Sequence, residues 1–476
     1  MVSFRLTRRF RVSTIAAGFV TSLLMTGPVF ARGDTPLNVP ENWFKSLTVE
    51  EIQAQIDAGV DINELNLSGS SALVRAGNSM AGEDVWQFLI DKGARLTEKQ
   101  LEEREAIFWV TKGSTPEAVR AVLAQPGVDV NVLDGSGRNS FAHATRLQPD
   151  LQVYRELIKA GIDIHRKDNN WRTAMHEAAM RTSYVHLFEF FHSLGLEYDE
   201  LDKNGWDPFL NAAWRNPVYD VVVHLAKHSD IDRVGNGGLN AAMLAAENNP
   251  SGKVFKWLLD QGLSVDGRDN YGATALIRSG RNSAEVAAQL LAMGQDVNAT
   301  DNNGNTAFIM TGYANEHAAE LIRLLAREGA DVHAVNKDGA NALMIALENG
   351  GNYKSGPQTV RLLIQEVGVM PTRGLADGST PLTIAANANQ SSEILRLLVE
   401  AGADVNAADA RGMTQLMIYA SETYNIAAMD YLISVGADTG HRNLAGQTAD
   451  ELALSNAYLG GKSIIERLST KPSRNR

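Results

Sequence analysis

The chain contains no cysteine in 476 residues. That single absence excludes a disulfide framework, a thiolate metal site and a thiol nucleophile, and it suits an oxidising compartment, where free thiols risk mispairing. Positive charge is also in short supply. Against 56 Asp and Glu there are 44 Lys and Arg, a formal net charge of −12. The first 31 residues carry Arg5, Arg8, Arg9 and Arg11 and no acid, so the remainder is at −16. Such a surface repels phosphate backbones, and the basic footprint that nucleic-acid binding needs is missing. Lys471, Arg474 and Arg476 read as a solvated tail, residues 471–476.

Reaction motifs are lacking as well. There is no Gly-x-Ser-x-Gly elbow. His176-Glu177 opens like a zinc-protease helix, but Met180 stands where the second histidine belongs. Gly460-Gly461-Lys462-Ser463 lacks the leading glycine of a phosphate loop, which would fall at Asn456, and helical sequence precedes it instead of a strand. Arg32-Gly33-Asp34 is a three-letter coincidence. His143 and His176 hold equivalent places on packed helices, about 8–10 Å apart, too far for one zinc with bonds of about 2.0–2.1 Å. His224 and His228 form an i, i+4 pair with no carboxylate or third histidine visibly associated, and read as a surface pair. No catalytic residue, cofactor site or metal site is expected.

What the chain does have begins with a targeting signal. Basic MVSFRLTRRFR, apolar VSTIAAGFVTSLLMTG and Pro-Val-Phe-Ala ending at Ala31 compose a signal peptide over residues 1–31. Its apolar core is short for a membrane span, which takes about 20 residues. A periplasmic address is expected. The alternatives are secretion, or anchoring if the segment is retained, the one case in which membrane contact is expected; Arg8-Arg9 leaves general versus twin-arginine export open. Residues 32–47 form a leader.

Beyond the leader the sequence echoes itself. A glycine closing an apolar helical run recurs at Gly59, Gly93, Gly127, Gly161 and Gly195. Ser229 stands in next, followed by Gly262, Gly294, Gly329, Gly368, Gly402 and Gly436, which makes twelve units. Within a unit the apolar residues keep helical spacing, as at Ile394, Leu397, Leu398 and Ala401. The glycine then suits a left-handed helix C-cap, and Asp404-Val405-Asn406 with Asp409 to Gly412 supplies turn formers that reverse the chain. Thr380-Pro381 starts the next helix as N-cap and first helical residue. Thr173, Thr274, Thr306, Thr414 and Thr448 take the same slot. Alanine pairs at Ala178-Ala179, Ala212-Ala213, Ala245-Ala246 and Ala385-Ala386 imply close helix stacking. A hairpin of about 33 residues cannot offset an ordering cost of roughly 1–2 kcal/mol per residue by itself, so stability has to come from neighbours along a row.

Asp377-Gly378-Ser379-Thr380-Pro381-Leu382 with Ala385-Ala386, then Leu397-Leu398-Val399-Glu400-Ala401-Gly402-Ala403-Asp404-Val405-Asn406, resembles the ankyrin repeat. The resemblance covers residues 48–440, with 441–470 as a C-terminal capping helix pair. It implies an all-α solenoid of about twelve helix-turn-helix units with β-hairpin fingers, a concave finger and inner-helix face, and a role in binding proteins without catalysis. It also implies that the motif histidine, kept at His176 and at His143, bonds to hairpin backbone. Departures fall at Thr97-Glu98-Lys99-Gln100, where a capping-box start replaces the first-helix motif, and at the longer loop Asn349 to Pro357.

Finger tips are exposed in such an architecture, and Trp, Tyr and Arg dominate interface energetics. The candidate partner surface is therefore Trp171, Arg172, Trp206, Trp214 and Tyr271, with Lys167, Asp168 and Lys203 as rim charges; bracing of neighbouring fingers is the competing reading. The expected function is a non-catalytic envelope scaffold that holds a protein partner. An envelope hydrolase with a cleft in the solenoid, or a secreted effector acting on a host protein, are the alternatives.

Overall fold

The structure is a computed structural model. It describes residues 48–455 except 66–70, 79–82, 96–105, 113–114, 314–317, 349–356, 372–373, 376, 389 and 423–424. The signal segment, the leader, Thr97 to Gln100, nearly all of the loop from Asn349, the Gly460 to Ser463 motif, the later half of the C-terminal cap and the tail lie outside the described residues. The chain divides into two compact units, Met1–Glu103 and Arg104–Arg476.

In the first unit, α1 (Val49–Asp57) starts with a reciprocal capping box: Glu51 N–H donates to Thr48 Oγ1 at 3.3 Å, and Thr48 N–H donates to Glu51 Oε2 at 2.9 Å. α2 (Ala72–Asn78) and α3 (Glu83–Asp91) follow, and α3 buries Val85, Trp86 and Leu89.

The second unit alternates inner and outer helices. The inner ones are α4 (Ala106–Val110), α6 (Ser140–Ala144), α8 (Ala174–Arg181), α10 (Pro208–Arg215), α12 (Ala241–Asn248), α14 (Ala275–Ser279), α16 (Ala307–Met310), α18 (Ala342–Glu348), α20 (Pro381–Asn387), α22 (Gln415–Glu422) and α24 (Ala449–Ser455). Between them lie the outer helices α5 (Pro116–Leu123), α7 (Leu151–Lys159), α9 (His186–Ser193), α11 (Tyr219–Ala226), α13 (Gly252–Asp260), α15 (Ala284–Ala292), α17 (Ala318–Arg327), α19 (Pro357–Arg361), α21 (Ser392–Glu400) and α23 (Ile426–Ser434). Each inner helix packs on the next inner helix in chain order. Ala178-Ala179, Ala212-Ala213, Ala245-Ala246 and Ala385-Ala386 are fully buried between them, because a longer side chain there would wedge the row apart. Outer helices bury one stripe, as Val153, Tyr154 and Leu157 do in α7.

The turns between helices explain the repeated polar letters. At Gly402 the backbone is left-handed (φ 93°), and the N–H of Ala403 caps Leu398 C=O at 3.0 Å. Ser229 is the exception, since it does not take a positive φ. Asn406 then reaches forward: its Nδ2 donates to Gly436 C=O at 3.2 Å, and its Oδ1 accepts the N–H of Asp438 at 2.7 Å. Asn63, Asn131 and Asn298 make the same pair of bonds into their following unit.

The fingers are tighter than hairpins. Among the described residues the structure contains no strand, only one isolated bridge between Ala408 and Thr414. The expected β-hairpin fingers are instead Asp-closed turns. Asp168 Oδ1 accepts the N–H of Asn170 at 2.7 Å and of Arg172 at 2.8 Å, leaving no length for strand pairing. One backbone bond then joins each finger to the next, such as Lys203 N–H to Asn170 C=O at 3.0 Å and Asn302 N–H to Tyr271 C=O at 2.9 Å.

A second ladder runs inside. Asn249, fully buried, donates Nδ2 to the carbonyls of Ala213 at 2.9 Å and Asn216 at 2.8 Å in the preceding unit. Asn216 does the same to Ala179 and Thr182, and Asn282 to Ala245, Ala246 and Asn249. Carbonyls orphaned at the ends of α8, α10 and α12 are thereby satisfied by the next unit.

Candidate functional site

Fingers and inner helices of the second unit share one face, because finger side chains reach the helix behind them. Arg138 beside one turn pairs with Glu177 of α8 at 3.2 Å. Arg278 of α14 bridges Asp269 of its own finger and Glu247 of α12.

The candidate residues do not form one patch. Trp171 is 57% exposed and sits at φ 64°, the only non-glycine with positive φ among the described residues. The equivalent tip residue is glycine at Gly137, Gly205, Gly238 and Gly272. A left-handed tryptophan costs of order 1 kcal/mol or more. Lys203 lies 5.9 Å from its ring centroid and donates to Asn169 C=O. Lys167 is exposed and ion-paired to Glu200. Tyr271 is 62% exposed, with the Arg278 guanidinium 5.7 Å from its ring. Arg172 is half-buried, 3.4 Å from Asp202.

Two placements differ from expectation. Trp206 is buried against half-buried Trp214, ring centroids 5.5 Å apart, because it points inward from its finger instead of out from the tip. Asp168 is not a rim charge either. It is buried, and its carboxylate is consumed by closing the turn.

The feature not read from the sequence is cationic. A cleft of about 180 Å³ beside α6 and α8 is lined by Lys112, Arg138, Arg146 and Arg181, with His143 and Glu177 at its wall. Arg138 is held by Asp134 at 2.7 Å as well as by Glu177, while Arg181 lies 3.3 Å from Glu177. Burial and the neighbouring Lys112 and Arg138 charges hold His143 down at about 4, so it adds no charge at neutral pH. The Arg181 guanidinium sits below its ordinary value through burial, with Arg215, Arg138 and Arg146 pushing the same way against the opposing Glu177. These cations repel one another, and an added anion would relieve them. The available signal was an arginine at the end of successive inner helices, at Arg146, Arg181 and Arg215, where the helix dipole also favours a cation. A second cleft of about 400 Å³, lined by Tyr271, Arg278, Arg281 and Tyr313, opens further along the same face.

His176 behaves as the motif requires. Buried in α8, it accepts the N–H of Thr173 on Nδ1 at 3.2 Å, and its Nε2 lies 3.3 Å from Trp206 C=O in the next finger. With Nδ1 accepting, Nε2 carries the proton. Burial holds its pKa at about 4. The depressed value means that the unfolded chain binds a proton first as pH falls. The stabilisation is whole above an unfolded value of about 6.5 and drains as pH drops towards about 4, for a total of about 3 kcal/mol. Urea midpoints at pH 7 and pH 5 should therefore converge in His176→Gln relative to the parent chain.

A family model described as ankyrin repeats (3 copies) matches residues 209–301, 278–369, 309–409 and 352–443. Another, ankyrin repeats (many copies), matches 140–192. An ankyrin repeat domain from Acinetobacter baumannii AYE is 31% identical, over 41% of this chain and 98% of that one, with a TM-score of 0.35. Curated proteins give no match. The fold defines a stacked helical-hairpin repeat protein. The chain belongs to the ankyrin repeat family, whose repeats are generally protein-interaction modules and typically non-catalytic.

Proposed function

We propose that this protein is a non-catalytic scaffold of the cell envelope that holds an acidic segment of a protein partner on its concave finger and inner-helix face. The observation that carries this is the cationic cleft around Arg138, Arg146 and Arg181 in a chain whose net charge is −12. Its volume suits one carboxylate side chain and is well below the roughly 300 Å³ at which small-molecule pockets begin. Glu177, gripped by Arg138 and Arg181, displays the carboxylate geometry this cluster already accepts. Trp171 supports the same reading, since an exposed ring held in a strained conformation, with only Lys203 over it, is a cost that local packing does little to offset. The envelope address rests on the signal-like segment 1–31 and the absence of cysteine.

Fluorescence anisotropy with labelled Glu/Asp-rich and Lys-rich peptides tests the assignment. The acidic probe should bind with steep salt dependence, and Arg146→Glu with Arg181→Glu should weaken it at least tenfold, about 1.4 kcal/mol or more. Equal binding of both probes, or indifference to the reversal, rules the proposal out. Trp171→Gly separates function from fold: its melting temperature should rise while affinity falls.

A further inference from the structure

The remaining unexplained cluster is on the outer helices, away from the finger face. Glu189 of α9 lies between two imidazoles of the next unit: its Oε1 is 3.6 Å from His224 Nε2 and 3.9 Å from His228 Nε2. The three ligand atoms all fall within 4.8 Å of one another. Stacking thus supplies the carboxylate that the isolated i, i+4 pair lacks in sequence.

These separations have a chemical meaning. A nitrogen and an oxygen 3.6 or 3.9 Å apart are too distant to share a proton, because a hydrogen bond of this type closes at about 2.7–3.2 Å. They are spaced instead as atoms around a common centre. A tetrahedral ion with bonds of about 2.0–2.2 Å sets its ligand atoms about 3.4 Å apart, within a small side-chain rotation of what is present. Glu189 is exposed and His228 partly so, which leaves them free to make that rotation. Neighbours hold the rings in place: Tyr198 stacks on His228 at 4.4 Å with the planes 12° apart, and its hydroxyl, 3.4 Å from His224 Nε2, turns away when that nitrogen takes the ion. Phe188 backs His224 at 5.8 Å. Backbone geometry contributes as well, since α11 ends at Ala226 and His228, just beyond its cap at Lys227, lacks the positive φ of the glycines at the other helix ends.

We propose that Glu189, His224 and His228 form a binding site for a borderline divalent transition metal ion, with Tyr198 as the residue that positions the imidazoles. Two imidazole nitrogens and one carboxylate oxygen match the donor preference of Zn²⁺ and Ni²⁺, whereas Mg²⁺ and Ca²⁺ require oxygen ligands. Three protein ligands leave a further position to water. The ion would clamp two successive outer helices, so binding stabilises the folded row.

The test is calorimetric titration of the untagged full chain, stripped with chelator, against ZnCl₂, NiCl₂ and MgCl₂. One equivalent of Zn²⁺ should bind, Mg²⁺ should give no heat, and Co²⁺ should develop visible d–d absorption. His228→Ala and Glu189→Gln should each weaken Zn²⁺ at least tenfold with the metal-free melting temperature unchanged, while His333→Ala, a distant exposed histidine, should bind as the parent does. If His228→Ala lowers the metal-free melting temperature, Glu189→Gln alone decides, because its side chain is solvent-facing. No binding at millimolar Zn²⁺, or binding unaffected by either substitution, overturns the proposal.

Discussion

Asn249→Asp should destabilise the protein by about 3–5 kcal/mol and split its urea transition into two, although the exchange leaves the number of non-hydrogen side-chain atoms unchanged. The Nδ2 group that faces the carbonyls of Ala213 and Asn216 becomes an oxygen, so donors are replaced by charge directed at acceptors. The site is fully buried, which denies those carbonyls water as a substitute. Only Oδ1, which accepts the N–H of Ser251 at 3.0 Å, keeps its role. Because stability in a stacked row is a nearest-neighbour sum, the damage falls on one interface. The units before and after it should then melt separately, visible as non-coincident circular dichroism and tryptophan fluorescence transitions. Asn406→Asp, exposed in a forward-reaching turn, should cost only about 1 kcal/mol. Equal losses at the two positions would mean that burial of the inner ladder is not what makes it stabilising.

The inner ladder also marks the boundary of what could be read from letters alone. The C-cap glycines, the Thr and Pro helix starts and the alanine pairs each announce a local rule: a left-handed turn, an orphan N–H, a close approach. The first two are satisfied within a few residues and the third shows as adjacent small residues in one short window, so each was legible. Asn216, Asn249 and Asn282 announce no such rule, because their partners lie in the preceding unit and nothing in a short window points across that interval. Trp206 departs from its expected exposure for a related reason. Trp206 adjoins a finger glycine just as Trp171 occupies the glycine position, but a one-residue offset along a tight turn points one ring outward and the other into the core. The cationic cleft and the Glu189, His224 and His228 cluster showed only in part, as terminal arginines and a histidine pair, since the side chains that complete each lie one unit away.

Gly235→Asp, which installs the residue found in most of the other turns, should destabilise the chain by about 2–3 kcal/mol, where a repeat-consensus argument expects a gain. Asp134, Asp168, Asp202, Asp269, Asp301 and Asp409 all close their turns with the carboxylate, whereas Gly235, like Leu375, forgoes those bonds. Its backbone does not require glycine, since φ is not positive there. Space does. A Cβ on Gly235 would lie 2.4 Å from both Cδ1 and Nε1 of Trp206, a buried ring that has no room to withdraw. The glycine is thus the complement of the tryptophan in the preceding finger. Trp206→Ala, which puts in the residue that Ala273 supplies elsewhere in the row, should itself cost about 3–5 kcal/mol by removing a buried ring from its contact with Trp214. In the double variant the clash is gone and the new carboxylate can accept the turn N–H groups, so the losses should fall short of additivity by about 2 kcal/mol or more. Chemical denaturation of the four chains measures that coupling. Additivity within about 0.5 kcal/mol would show that the two positions do not sense each other, and that Gly235 is small for a reason other than the ring beside it.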